Sequence, residues 1–486
     1  THVEQFSLHE FDKVSTASLI TRTTNDTTQV QQVTIVLLNM IITAPITLVA
    51  GVILALNQDI GLSWILVVAI PILAGTIALL MSKAIPIFRA MQVKLDKLNL
   101  VLDEGLTGVR VVRAFDRIKH EEQRFDEANL ELTNIAIKVN RLIATLMPMM
   151  MLVLNISSVA ILWFGAIRIN NGDLQLGAMI AFLQYAMQIL FALLMVSMMF
   201  IMLPRAAASA DRINEVLAIE PEIKDADQVR LADRQRGYVE FRDVTFSYPG
   251  AEEPALSNIS FRARPGQVTA IIGGTGAGKS TLVSLIPRFY DIDSGHILVD
   301  GVDVREMSQE HLRSKIGFVP QKAVLFSGTI TQNIRYGKED ATDEEIRHAA
   351  DVAQASEFIV DMKDGFDSVI AQGGTNVSGG QKQRLSIARA LVRRPEIYVF
   401  DDSFSAVDFK TDAKLRAALK QEIYDATALI VAQRVSTVMD ADQIIVLDEG
   451  RVAGIGTHRE LMKTCEVYRE IVSSQLSLDE LAEEIA

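Results

Sequence analysis

The chain has 486 residues, 49% hydrophobic and 22% charged, with a net charge of −13. Its mean hydropathy of +0.24 is high for so acidic a chain, which excludes one soluble domain of ordinary composition and separates apolar and charged residues into different halves. The single cysteine, Cys465, excludes a disulfide framework and a cysteine-based zinc site, and a pI near 5.2 excludes a general nucleic-acid binder, so no nucleic acid is expected as a partner.

In chain order, residues 27–58, 60–82, 142–167 and 174–204 contain no Asp, Glu, Lys or Arg. Each holds an apolar run near or above the roughly 20 residues that cross a bilayer as a helix. Spans are expected near 33–57, 60–82, 142–168 and 174–203. The links inside each pair are short and, Arg168 apart, poor in positive charge. Residues 83–141 carry Lys83, Arg89, Lys94, Lys97, Arg110, Arg113, Arg117 and Lys119, which places that segment in the cytoplasm. Its mostly helical pattern predicts two antiparallel arms reaching roughly 40 Å beyond the membrane, with Gly105 and Gly108 near the turn. Pro45, Pro71, Pro86 and Pro148 are expected to kink the spans. Two methionine clusters, 147–151 and 195–202, are expected to pack against lipid or helices.

Composition changes after Arg205. Residues 211–235 read as a charged helix and linker, and from Tyr238 strands and helices alternate as in α/β domains. An apolar strand, residues 268–272, runs into Gly273, Gly274, Thr275, Gly276, Ala277, Gly278, Lys279, Ser280 and Thr281. This is a phosphate loop: its glycines let backbone N–H groups surround phosphate oxygens, and the following helix adds positive potential. Lys279 is placed to reach β- and γ-phosphates, and Ser280 to ligate Mg²⁺. Downstream, a buried-strand run, residues 397–400, ends in Asp401, a carboxylate suited to Mg²⁺. Between them Ser378, Gly379, Gly380 and Gln381 open a helix, a second phosphate-binding device.

The Val377-Ser378-Gly379-Gly380-Gln381 segment, between a phosphate loop and a strand-end Asp, resembles the signature of ATP-binding cassette (ABC) proteins. Tyr248 resembles the adenine-stacking aromatic, a role not expected of Tyr290 or Tyr336. Gln321 resembles the glutamine that touches Mg²⁺ and faces the membrane domain. Ser405-Ala406-Val407-Asp408 resembles the D-loop, and residues 108–115 resemble the second intracellular arm of exporters. The resemblance implies an all-α exporter-type transmembrane domain over 1–210, a linker over 211–237, an α/β nucleotide-binding domain over 238–475 and an acidic tail over 476–486. It also implies six spans where four are found, hence an expected N-terminal truncation. ATP and Mg²⁺ are the implied ligands, and the cell membrane, with the nucleotide domain cytoplasmic, the implied location.

Two positions depart from the family. Asp402 stands where Glu usually orients the attacking water, and Gln433 stands at the switch histidine. Aspartate is one methylene shorter, and a misplacement of about 1 Å can cost ~10²-fold in rate. Glutamine bonds a phosphate but carries no positive charge. Asp402, Gln433 and Gln321 are therefore the candidate catalytic residues of a slow site. Because each ATP in this family lies between one subunit's phosphate loop and the other's signature, the resemblance implies a second, non-identical half-transporter with Glu and His at those places. The expected function is ATP-driven export of an apolar or amphipathic small molecule. An ATP-binding gating subunit and a homodimeric lipid or peptide exporter remain as alternatives.

Overall fold

The computed structural model describes residues 2–226, 228–230 and 236–475. These fall into a helical unit, Thr16–Ala218, and a second unit made of residues 2–15 and the described residues from Ile219 onward.

The helical unit has four helices long and apolar enough to cross a membrane among the described residues. The helix Thr27–Gln58 packs along Leu176–Leu217, and Ile60–Thr107 along Ile118–Asn170. Outward-facing Ile35, Leu38, Ile41, Ile46, Val67 and Trp163 are exposed, as apolar residues facing lipid must be. Inside, Leu73, Met150 and Leu190 form one cluster, and Leu62, Ile161, Phe182 and Ile189 belong to another. Met150 is thus core, whereas Met147, Met149, Met151 and Met195 face outward; the side chains of Met198 and Met199 lie outside the described set. Pro45, Pro71, Pro86 and Pro148 sit inside unbroken helices.

The outer links are joined by charge. Asp59 caps the helix Ile60–Thr107, accepting from Leu62 N at 2.8 Å, and takes Arg168 Nε at 2.9 Å. Arg168, the one cation in these links, therefore has a buried carboxylate beside it. At the other end a π-helical turn, Arg22–Asp26, buries Asp26 against Ser209 Oγ and the Arg212 guanidinium. The helix Ile60–Thr107 has 48 residues, about 70 Å at 1.5 Å per residue, so well over half of it lies beyond a core of about 30 Å. Its cytoplasmic part is zipped to the next arm by Glu131 with Lys94 and Lys97, each at 3.0 Å, and by Glu104 with Arg124 at 2.7 Å. The turn falls at Gly108, whose N–H bonds Glu104 O at 2.8 Å; Gly105 lies within the helix. The short helix Val109–Ala114 forms the tip, with Leu106, Val111 and Phe115 exposed.

The boundary expected at residue 210 falls inside the helix Leu176–Leu217. The charged helix read from Asp211 is the last part of that same helix, continued to Leu217. Residues 2–15 also belong with the second unit, not the first, because they dock on the residues that follow Ala218. His2 Nε2 lies 3.0 Å from Ile219 O, His9 Nδ1 2.6 Å from Glu222 Oε2, and Glu10 Oε1 accepts from Glu222 N at 3.2 Å. The acidic tail, 476–486, lies outside the described residues.

The described residues of the second unit form a two-stranded sheet, Gly328–Thr329 with Val369–Ile370, and two main sheets. One has four antiparallel strands in the order Leu256–Ala263, Val239–Phe246, Ser294–Val299, Val302–Asp303. The other has six, in the order Arg451–Gly456, Gln443–Asp448, Val268–Gly273, Thr427–Val431, Ile397–Asp401, Ile316–Val319, parallel except for the first. Thr427–Val431 and Ile397–Asp401 are buried throughout, as continuous apolar runs in a covered parallel sheet should be. Register sets Asp401 beside Val431, Val431 beside Ile271 and Leu447 beside Gly273. The carboxyl ends of four neighbouring strands therefore converge where α/β sheets bind ligands.

Candidate active site

The phosphate loop starts at the end of Val268–Gly273 and closes into the helix Lys279–Leu285. Gly276 and Gly278 have φ of +84° and +90°. At Gly278 a methyl would also lie 2.7 Å from Leu256 Cδ2 and 2.9 Å from Ala255 O, so only glycine fits. A methyl at Gly274 would meet nothing within 4 Å, which leaves that peptide open to a ligand. Lys279 Nζ donates to Gly273 O at 2.9 Å and Gly274 O at 2.6 Å, holding its charge over the loop. Burial pulls this ammonium below its ordinary pKa, against the opposing pull of Asp402 and Asp401.

Two carboxylates stand at the end of Ile397–Asp401. Asp401 Oδ1 accepts from Ser280 Oγ at 2.8 Å, joining positions 121 residues apart. A hydroxyl and a buried carboxylate at that distance make a hard oxygen pair fitting Mg²⁺. Asp402 takes φ of +45° and bonds through its backbone N to Val431 O at 3.1 Å. Its Oδ2 accepts from Gln433 Nε2 at 2.9 Å and from Gln321 Nε2 at 3.3 Å. The three candidate catalytic residues are thus one cluster. Burial pushes both carboxyls above the usual carboxylate range; Ser280 and Lys279 oppose this at Asp401, and Gln321, Ser405, Lys279 and Arg434 at Asp402.

Tyr248 sits on the far side of the loop, its hydroxyl 3.0 Å from Thr281 Oγ1. It is partly exposed, and Phe246 and Tyr290 meet its ring edge-on at 5.0 and 5.5 Å. Tyr336 lies elsewhere, against Phe326 and Arg389. Tyr290 packs edge-on against Tyr248 and buttresses it.

Ser378 caps the helix Gly379–Leu391 in a capping box: Ser378 N donates to Gln381 Oε1 at 2.8 Å and Gln381 N to Ser378 Oγ at 3.3 Å. These bonds stay within the signature, which forms a group apart from the phosphate loop. A methyl at Gly379 would meet nothing within 4 Å; one at Gly380 would lie 2.9 Å from Ala406 O of the D-loop segment. Sequence reasoning missed Gln383, a buried side chain one turn on, whose Nε2 reaches Pro320 O at 3.4 Å, next to Gln321. A polar residue on the inward face of an amphipathic helix was the available signal.

Residues 1–194 match the family described as ABC transporter transmembrane region, and residues 256–405 match the family described as ABC transporter. An uncharacterized ABC transporter ATP-binding protein of Mycobacterium tuberculosis is 47% identical over 478 residues, 98% of this chain and 82% of that protein. The ATP-dependent lipid A-core flippase of Syntrophus aciditrophicus is 33% identical over 483 residues, 99% of this chain and 80% of that protein. Among solved structures, a bacterial Atm1-family ABC exporter with ATP bound matches with a TM-score of 0.82 at 28% identity, over 98% of this chain and 83% of that one. The chain belongs to the ABC transporters: it is a multi-pass membrane subunit of exporter type, with the Atm1-like fold and a cytoplasmic nucleotide-binding domain.

Proposed function

We propose that this chain is one half of a heterodimeric exporter, and that its own ATP site hydrolyses slowly while its signature serves a fast site on a non-identical partner. The observation that carries the reading is the Asp402 carboxylate, bonded to two neutral amides, Gln321 and Gln433. In this reading Lys279 and the loop N–H groups bind the phosphates, and Tyr248 stacks on adenine. Ser280, Asp401 and Gln321 would hold Mg²⁺, which when bound neutralises phosphate charge. Asp402 orients water from a retracted position, and Gln433 adds a hydrogen bond but no positive charge beside the γ-phosphate. Ser378 and the N–H groups of the helix it caps face a second subunit's nucleotide.

An apolar or amphipathic cargo is supported by a cleft of about 590 Å³ between Ile60–Thr107 and Ile118–Asn170, lined by Trp64, Val68, Ile72, Ile156 and Phe164 with Arg168 at one end. The similarity to a lipid A-core flippase points the same way.

ATPase assays on the purified transporter, alone and with a candidate partner, test the proposal. Ser378→Arg should lower turnover of the pair at least ~10²-fold, the cost of losing a preorganised donor, while Asp402→Asn changes it little. If Asp402→Asn stops hydrolysis as completely as Ser378→Arg, this chain carries an ordinary catalytic site and the asymmetric reading fails. Full turnover by the chain alone would favour a homodimer, and none in either preparation a gating subunit.

A further inference from the structure

We propose that Gln475 is a positioning residue of the ATP site, acting through Gln433; the proposal rests on the roles given above to Asp402 and Gln433. The switch segment leaves the strand Thr427–Val431 and enters a helix of one turn, Val435–Val438. Arg434, at its N-cap, gives no side-chain cap. The first helical N–H, that of Val435, is an orphan donor that needs an acceptor from elsewhere. Gln475 supplies it: its Oε1 accepts from Val435 N at 2.8 Å, across 40 residues. The same side chain donates Nε2 to Gln433 O, also at 2.8 Å. One amide thus grips the backbone on both sides of Arg434, and only one orientation of that amide makes both bonds.

The grip has a firm base. Gln475 follows the helix Glu466–Ser473, and its own N–H bonds Val472 O at 3.0 Å. Tyr468 and Val472 of that helix are fully buried in the core that also holds Val435 and Val438. The opposite side of the segment is held too. Arg416 NH1 donates to Ser436 O at 3.0 Å, Arg434 NH2 to Ser405 O at 3.3 Å, and the Arg434 guanidinium lies 5.0 Å from the Phe409 ring. The main chain at Gln433 is therefore fixed from the C-terminal helix on one side and the D-loop helix on the other. With its backbone fixed, the Gln433 amide is directed at Asp402 Oδ2. Gln475 itself is exposed, so removing it loosens the segment without opening the core.

The test compares Gln475→Ala, Gln433→Ala and the double variant in the full-length assembled transporter. Amide exchange over residues 433–438 reads the clamp, and single-turnover ATP hydrolysis reads its consequence. Exchange at Val435 should rise roughly 5- to 10-fold in Gln475→Ala, the worth of one or two neutral hydrogen bonds. Gln475→Ala and Gln433→Ala should slow the same kinetic phase, and the double variant should be no slower than Gln433→Ala, since residues acting as one unit are non-additive. Gln475→Glu keeps the acceptor for Val435 but sets a carboxylate against Gln433 O, so it should restore the exchange protection and not the rate. The proposal is overturned if the double variant loses the product of the single effects, or if Gln475→Ala matches wild type where Gln433→Ala does not. If Gln433→Ala also leaves every phase unchanged, the catalytic role of the switch position fails instead, and exchange alone decides the clamp: unchanged protection at Val435 overturns it.

Discussion

Gln433 donates its side-chain amide to Asp402 Oδ2 at 2.9 Å, so the two positions that depart from the family pattern touch each other. The pair joins a carboxylate to a neutral amide that does not titrate. This contact sets the pH behaviour expected of the site.

Burial holds the Asp402 carboxyl above the ordinary carboxylate range. Hydrolysis that needs its ionised form should fall as pH drops through that raised value. It should do so in a single limb, because Gln433 does not titrate where an imidazole would, near pH 6.5. Gln433→His should add a second limb there. Single-turnover rates from pH 5 to 8 decide this, and a second limb in the wild-type protein would mean that another group also governs the site.

The same burial makes a statement about stability. A carboxyl whose folded pKa lies above its unfolded value costs stability once ionised. The cost is full above the folded pKa and absent below the unfolded one. Asp402→Asn, whose amide oxygen can still accept from Gln321 and Gln433, should raise the thermal midpoint at neutral pH. The gain should vanish as the pH falls toward 4. Melting curves of both proteins across that range measure it; a gain that persists at low pH would assign the effect to something other than charge.

Lys279 carries the cation at the mouth of the loop, seated on Gly273 and Gly274 carbonyls. Lys279→Ala removes the point charge that meets the β- and γ-phosphates. Labelling of this subunit by a photoreactive ATP analogue should fall at least tenfold while the fold persists. Undiminished labelling would put the nucleotide elsewhere.

Three tyrosines should respond in a graded series. Tyr248→Ala should weaken nucleotide binding by ~1–3 kcal/mol, the range for base–aromatic stacking. Tyr290→Ala should give a smaller loss, because Tyr290 only props the Tyr248 ring. Tyr336→Ala should give none. Equilibrium binding of a fluorescent nucleotide orders the three, and equal losses would move the adenine away from Tyr248.

The phosphate loop was legible because its chemistry constrains residue type position by position: Gly276 and Gly278 need positive φ, and Lys279 must follow. The four apolar spans were legible for a similar reason, since lipid tolerates few charges. Pairings distant in sequence were not legible. Asp59 with Arg168, and Ser280 with Asp401, join residues more than 100 positions apart, and nothing local marks either bond. The domain boundary expected at 210 falls within the helix Leu176–Leu217, because charge onset and backbone geometry answer to different causes, one to solvent and the other to hydrogen bonding. Glu10 lies in a segment for which the sequence suggested no contact, yet it is buried, closing a capping box with Ser7 and accepting from Glu222.

The docking of residues 2–15 on Ile219 and Glu222 has a consequence for the order of events during synthesis. The Glu10 bond to Glu222 spans 212 residues, and the whole helical unit lies between its two ends. The four apolar helices between them must be made before residues 2–15 can meet Glu222. Contacts of such long sequence separation form late, because loop closure is unfavourable until the intervening chain is compact. Docking of residues 2–15 therefore comes after the synthesis of the four helices that lie between them and Glu222.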